Sequence, residues 1–253
     1  MLHTSLVALG FTLIGLCVGS FLNLCIDRLP LDQSIVKPPS HCPVCGRRVF
    51  VLDLVPFFNY LWLRGRCRYC QAPIPMRLPM VELLTGLAFA LLYWNYGLSA
   101  ELGMSIVYAS FLIVIFFIDL DHQLILNKVS YPGIVVAFIF SFLWPDLGVV
   151  NALTGGAIGF AILFLPFIIY PKGMGGGDLK LALMIGLMVG SPEVLVGILM
   201  GIIGGGLAAI LLLGLRIKRR GEAIPFGPFL CIGAMAALLW GRDIADWYLD
   251  LFR

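Results

Sequence analysis

Charged residues are scarce in this sequence of 253 residues. Only 12% are Asp, Glu, Lys or Arg, well below the ~25% that is usual for soluble domains, and the mean hydropathy is +1.01. This scarcity excludes an ordinary soluble domain and is typical of a membrane protein. The net charge of +3 is too small to indicate a nucleic-acid partner.

The sequence shows neither an evident cleavable signal peptide nor an internal repeat. The first apolar run is too long for the core of a cleavable signal peptide, so we expect it to be retained as a helix. The two halves of the chain show no internal repeat. Because many transporters are built from such repeats, this absence argues against a transporter that uses its acids for proton coupling.

Long apolar runs fill most of the chain and predict an all-α polytopic membrane protein. A helix needs roughly 17 or more residues to cross the hydrocarbon core of a bilayer. Seven runs reach that length, at 6–26, 83–100, 102–118, 129–145, 147–171, 194–215 and 223–241. An eighth, 181–192, has only 12 uncharged residues and needs its flanking residues to span. We therefore predict about eight transmembrane helices.

The basic residues predict the orientation of these helices. With eight spans, 15 of the 17 Lys and Arg residues fall on one side of the membrane. Basic loops favour the cytoplasm, so we expect both termini on the opposite side. The predicted division is a first transmembrane helix at 1–26, a cytoplasmic loop at 27–79 and a seven-helix membrane domain at 80–253.

The predicted cytoplasmic loop contains two C-x-x-C pairs, in "HCPVCG" and "RCRYC", separated by 21 residues. The four cysteines are Cys42, Cys45, Cys67 and Cys70. Two such pairs can close a tetrahedral thiolate site, and stable disulfides are rare in the cytoplasm. We therefore expect structural Zn²⁺ rather than a redox-active pair. A closed four-cysteine site has no open position for catalysis, so we expect it to shape the loop.

Acidic residues mark the cytoplasmic ends of three predicted spans. The stretch "FFIDLDHQLI" places Asp119, Asp121 and His122 at the end of the third span. Asp178 begins the sixth, and Glu82 lies near the start of the second. Ionisable residues beside the membrane interior are costly, and they are functional candidates by default.

Two carboxyl groups at one membrane depth can share a proton, so that one acts as an acid while the other activates water. This predicts an aspartyl protease that pairs Asp178 with either Asp119 or Asp121, and the residues alone do not choose between them. Glycines before Asp178, including Gly175 and Gly177, would let a substrate backbone approach the acid.

Other roles for these acids stay open at this point. Asp178 can simply cap a helix. The Asp-x-Asp spacing also allows Mg²⁺ and pyrophosphate binding, as in a prenyl or phosphoryl transferase. Three basic residues that such a site would need are close in the predicted topology: Lys128, Lys172 and Lys180.

Seven motifs occur in the order and rough spacing of bacterial type IV prepilin peptidases. They are "GSFLNLCIDRLP", "HCPVCG", "RCRYC", "VELLTG", "IDLDHQLI", "GMGGGDLKL" and "IPFGPFL". The sequence resembles that family from residue 19 to about residue 230. Its second acid motif is also similar to that of the Gly-x-Gly-Asp intramembrane aspartyl proteases.

The resemblance implies an enzyme of the bacterial inner membrane whose active site faces the cytoplasm. Such an enzyme cleaves the basic leader from prepilins or pseudopilins, whose transmembrane helix lies in the lipid. It then methylates the new N-terminus with S-adenosylmethionine. The resemblance implies Asp119 and Asp178 as the catalytic acids. Six residues are expected to support them: Asp121, His122, Gly175, Gly177, Lys180 and Glu82.

Methylation is implied by the resemblance alone. No glycine-rich nucleotide motif follows a predicted strand, and the 27–79 loop is too short for a soluble methyltransferase fold. By resemblance we link Gly65, in "LRGRCRYC", with methylation. The chain also departs from the family after its first acid motif, where a Leu-Ile-Pro-Asp-like stretch is common and this chain has Leu126 and Asn127. We expect this change to alter substrate preference.

Overall fold

The computed structural model describes residues 2–48, 57–169, 175–218 and 224–251. Among these residues the regular secondary structure is helical, apart from two isolated β-bridges. The helices are α1 (Leu2–Arg28), α2 (Phe58–Trp62), α3 (Arg77–Tyr96), α4 (Ala100–His122), α5 (Asn127–Ser141), α6 (Val149–Ile169), α7 (Gly176–Val189), α8 (Glu193–Gly214) and α9 (Gly227–Asp250). The prediction of an all-α polytopic protein is confirmed.

Six of the described helices are long and apolar enough to cross a membrane, namely α1, α3, α4, α6, α8 and α9. The predicted count was about eight. The other two candidates, α5 and α7, have only 15 and 14 residues. Helix α5 ends before the predicted run does, because Pro145 disfavours helical backbone at the residue that precedes it. Helix α7 is short because its apolar run is short.

The chain divides into two compact units, Met1–Leu102 and Gly103–Arg253. In the first unit α1 packs along α3. A Cβ added to Gly15 would lie 2.7 Å from the Cα of Gly86, and one added to Gly19 would lie 2.7 Å from the Cα of Glu82. The small residues therefore let the two backbones approach closely, as membrane helices often do.

Polar contacts fix the ends of α1 and α3 from which the cysteine loop emerges. The buried Arg28 guanidinium donates to the carbonyl oxygens of Ser34 (2.8 Å) and Pro38 (2.7 Å). The Asn23 side-chain amide donates to the carbonyl oxygen of Leu78 at 2.9 Å. These contacts hold the loop's first residues against α1 and tie α1 to the first turn of α3.

Helix α7 lies at the centre of the second unit and packs against α5, α6, α8 and α9. Leu181, Ala182 and Ile185 have no exposed surface. Because neighbouring helices cover α7, its short length does not leave polar backbone facing lipid. On α6, a Cβ added to Gly155 would lie 2.5 Å from the carbonyl oxygen of Gly186 in α7.

We predict that Gly155→Ala destabilises the protein. The added methyl group must push α6 away from α7, and such overpacking costs about 1–3 kcal/mol. Thermal unfolding of the purified protein in detergent should show a lower midpoint than wild type. Gly103→Ala is the matched control, since a Cβ there meets nothing within 4 Å. Equal midpoints for the two variants would contradict this packing.

Candidate active site and metal centre

Asp119 lies in the last turn of α4, where the helix leaves the apolar run that precedes it. Its side chain is buried, with 5% of its surface exposed, whereas Asp121 and His122 in the same turn are exposed. The structure therefore separates two acids that the sequence alone could not distinguish. Asp119 is the one directed into the protein.

The beginning of α9 supplies a hydrogen bond to this buried acid. The backbone N–H of Gly227, the first residue of α9, donates to Asp119 Oδ2 at 3.0 Å. A Cβ added to Gly227 would lie only 2.7 Å from the same oxygen. Sequence reasoning gave Gly227 no role; the available signal was the Gly-Pro pair of "IPFGPFL", since proline is frequent at the start of a helix.

Asp178 is the third residue of α7 and is also buried. Its Oδ2 accepts a hydrogen bond from the backbone N–H of Gly175 at 3.2 Å. A Cβ added to Gly177 would lie 2.8 Å from the Cβ of Ile125, in the turn that follows α4. The absence of a side chain at position 177 thus lets the start of α7 approach the end of α4.

The starts of α7 and α9 both approach the end of α4, so Asp119 and Asp178 are brought to the same region of the second unit. Cys231 is buried one turn along α9 from Gly227. Three helix ends therefore converge here: the end of α4 and the starts of α7 and α9. Each acid has a backbone N–H donor, and the two negative charges disfavour simultaneous ionisation. Such a pair can hold one proton and polarise a water molecule.

The other predicted supporting residues are placed differently. The ammonium group of Lys180 donates to Asn127 Oδ1 at 2.6 Å and lies 4.9 Å from the centre of the Tyr131 ring. Glu82 belongs to the first unit, where it accepts a hydrogen bond from the Phe57 backbone N–H at 2.8 Å. Part of the predicted glycine loop, residues 172–174, lies outside the described residues.

The four predicted cysteines form a separate cluster in the first unit. Their sulfur atoms all lie within 4.8 Å of one another, and Cys42 Sγ is 3.8 Å from Cys70 Sγ. Ligands at about 2.3 Å from a tetrahedral metal ion lie about 3.8 Å apart. The cluster therefore has the spacing that a four-thiolate metal site needs.

The two C-x-x-C pairs adopt matching turns. In the first, the Gly46 N–H donates to the Cys42 carbonyl oxygen at 2.9 Å; in the second, the Gln71 N–H donates to the Cys67 carbonyl oxygen at 3.0 Å. The residue after each second cysteine has positive φ, 68° at Gly46 and 60° at Gln71. Short β-bridges close both turns. Each turn thus presents its two sulfur atoms to the same point.

Local hydrogen bonding also prepares one thiol for metal binding. The backbone N–H groups of Cys45 and Val44 donate to the Cys42 sulfur and lower the pKa of Cys42 to about 6. At Cys70 the Ala72 N–H lowers the pKa, but desolvation and the other three thiols outweigh it and raise the pKa to about 11, so of these two thiols only that of Cys42 is favoured in the deprotonated form. Because metals bind the thiolate form, a lowered pKa favours binding near neutral pH.

Gly65 lies just before the second turn, with φ of 69°. Its carbonyl oxygen accepts from the Ile74 N–H at 2.8 Å. A Cβ at this position would lie 2.8 Å from the Tyr60 hydroxyl oxygen. Both the backbone conformation and the close approach of Tyr60 therefore account for glycine here.

Comparisons with known proteins give one family match within each of the two compact units. Residues 13–96 match the family model "Bacterial Peptidase A24 N-terminal domain", and residues 106–210 match "Type IV leader peptidase family". A protein of Aeromonas hydrophila named "Prepilin leader peptidase/N-methyltransferase" is 34% identical, over 95% of this chain and 93% of its own length. A Pseudomonas aeruginosa protein of the same name is 32% identical, over 98% and 95%. No solved structure matches the chain.

We predict that the purified protein carries one tightly bound metal ion at the cysteine cluster. Cys67→Ser should lose the metal, because a tetrahedral site with three thiolates binds more weakly and is open to solvent. Elemental analysis by mass spectrometry measures the stoichiometry. Cys17→Ser, on the exposed side of α1, is the matched control and should retain the metal. Full retention in Cys67→Ser would contradict the four-ligand site.

Proposed function

This chain belongs to the type IV leader peptidase family, and we propose that it is a membrane aspartyl endopeptidase. It removes the basic leader from type IV prepilins or pseudopilins and then methylates the new N-terminus. The main structural support is the burial of Asp119 and Asp178, two acids from different helices that each accept a hydrogen bond from a backbone N–H at the start of a helix or in the residue before it. Similarity to prepilin leader peptidases along nearly the whole chain gives the substrate class.

In the proposed mechanism the two acids share one proton. The ionised carboxylate removes a proton from a water molecule, and the oxygen of that water attacks the carbonyl carbon of the scissile peptide bond. The protonated carboxyl group gives its proton to the carbonyl oxygen. When the tetrahedral intermediate collapses, the carboxyl group that took the proton of water gives it to the amide nitrogen, the other carboxylate takes back a proton from a hydroxyl group of the intermediate, and the C–N bond breaks. The backbone N–H groups of Gly227 and Gly175 hold the two carboxylates in place.

The proposed position of the site suits a prepilin. This substrate has a short basic leader followed by an apolar helix, so its scissile bond lies near the membrane surface. The charge asymmetry of the loops favours the cytoplasm for the ends of α4 and α7 that carry the acids. The leader can then remain in the cytoplasm while the apolar helix stays in the lipid.

We further propose that the four cysteines hold structural Zn²⁺ in the 27–79 loop. All four tetrahedral positions would be filled by protein, so the ion would join the two C-x-x-C turns and would not activate water. S-adenosylmethionine would supply the methyl group for N-methylation. The link between Gly65 and methylation rests on the resemblance, since its turn conformation already explains the glycine.

The departure at Asn127 affects the surroundings of the acids. Asn127 accepts a hydrogen bond from Lys180, two residues after Asp178. A neutral amide leaves the positive charge of Lys180 less compensated than an aspartate would. We propose that this difference bears on which leader or helix sequence is preferred.

We predict that Asp119→Asn and Asp178→Asn each abolish cleavage of a purified prepilin, because an amide can neither accept the proton of water nor share one. The expected loss is at least ~10³-fold in kcat. Incubation with labelled S-adenosylmethionine in the same reaction measures methyl transfer as well as cleavage. Asp243→Asn, at an exposed position of α9 far along the helix from Gly227, is the matched control and should retain most activity.

Full cleavage by either Asn variant would reject the acid pair. Cleavage should also persist after EDTA treatment that leaves the cysteine-bound metal in place, and its loss on such treatment would instead favour a Mg²⁺-dependent reaction. Cleavage without label on the new N-terminus would leave the peptidase proposal intact and remove the second activity.

A further inference from the structure

The first turn of α9 has one backbone donor that its own helix does not use. The first N–H groups of a helix lack partners within it. Here Pro228 has no N–H, and the N–H groups of Phe229 and Leu230 donate to the Phe226 carbonyl oxygen at 3.1 and 3.3 Å. The remaining donor, the N–H of Gly227, is directed at Asp119 Oδ2.

The contact also explains why position 227 is glycine. Gly227 is not among the residues with positive φ, so its backbone conformation does not require glycine. The three atoms that an added Cβ would meet first are all from Asp119: Oδ2 at 2.7 Å, Cγ at 3.1 Å and Cβ at 3.4 Å. Asp119 is buried and has little room to retreat. A side chain at position 227 would therefore displace the acid.

We propose that Gly227 is a positioning residue for cleavage, whose N–H fixes the Asp119 carboxylate and whose missing side chain gives that carboxylate its place. The proposal rests on the function proposed above. With Oδ2 held by α9, the other oxygen, Oδ1, is left for the proton shared with Asp178 or for the attacking water. The hydrogen bond and the positive end of the α9 dipole both favour the ionised form of Asp119.

Two changes at position 227 test separately the missing side chain and the backbone N–H. Gly227→Ala adds a Cβ against Asp119. Replacement of Gly227 by glycolic acid, through suppression of an amber codon, converts the N–H into an ester oxygen and adds no atom. Gly206→Ala, in helix α8, is the matched control because a Cβ there meets nothing within 4 Å. All proteins are full length, purified in detergent and assayed on the same set of prepilins.

Gly227→Ala should lower kcat about 100-fold, the effect of moving a catalytic group by roughly 1 Å. KM should change less than about threefold, because the contact that Gly227 makes is with the acid. The ester variant should lower kcat by about tenfold. In the ester variant the acid limb of the kcat/KM profile should also move up by about one pH unit, because the ionised acid has lost a charge-assisted hydrogen bond.

Folding is checked with a thiol-reactive dye, and the labelled cysteine is located by peptide mass spectrometry because Cys17 and Cys70 are exposed in any case. Cys231 is buried one turn from Gly227, so loss of local packing exposes its thiol. If Gly227→Ala exposes Cys231, the ester variant decides the question, because it preserves shape. An ester variant with the kcat and pH profile of Gly206→Ala would overturn the proposal. Failure of wild type and Gly206→Ala to cleave any prepilin would instead overturn the proposed function, and this inference with it.

Discussion

The structure of the second unit depends on the cost of burying two carboxyl groups beside apolar helices. An unpaired buried charge is expensive, so Asp119 and Asp178 need polar partners. Both find them in backbone N–H groups at or just before the start of a helix, from Gly227 of α9 and from Gly175 before α7. The site therefore requires the end of α4 and the starts of α7 and α9 to lie together. The helix packing of the second unit holds them in that arrangement.

Glycines, which have no side chain, allow the helices of the second unit to come into close contact. Gly155 lets α6 approach α7, and Gly177 lets the start of α7 approach the turn after α4. Without a hydrophobic effect between helices in lipid, such close van der Waals contact is a main source of stability. It also explains how α7 can be short, since the helices around it replace lipid along its length.

The helices and the cysteine cluster could be predicted from the sequence, because each depends on residues that are close together in the chain. Apolar runs gave the helices, and the spacing of the C-x-x-C pairs gave the cysteine cluster. What the sequence could not give depended on contacts between distant residues. The burial that separates Asp119 from Asp121 and the hydrogen bond across 108 residues to Gly227 are of this kind. The length of α5 was overestimated because hydropathy does not register the effect of Pro145 on the backbone.

The central claim is that the Asp119 and Asp178 carboxyl groups share a single proton. Infrared spectra of protein labelled with ¹³C at the aspartate carboxyl carbons distinguish protonated from ionised groups. At neutral pH we expect a protonated-carboxyl band in wild type that disappears in both Asp119→Asn and Asp178→Asn, because the remaining acid ionises once its neighbour is neutral. A wild-type spectrum without that band, or a band that survives both substitutions, would contradict it.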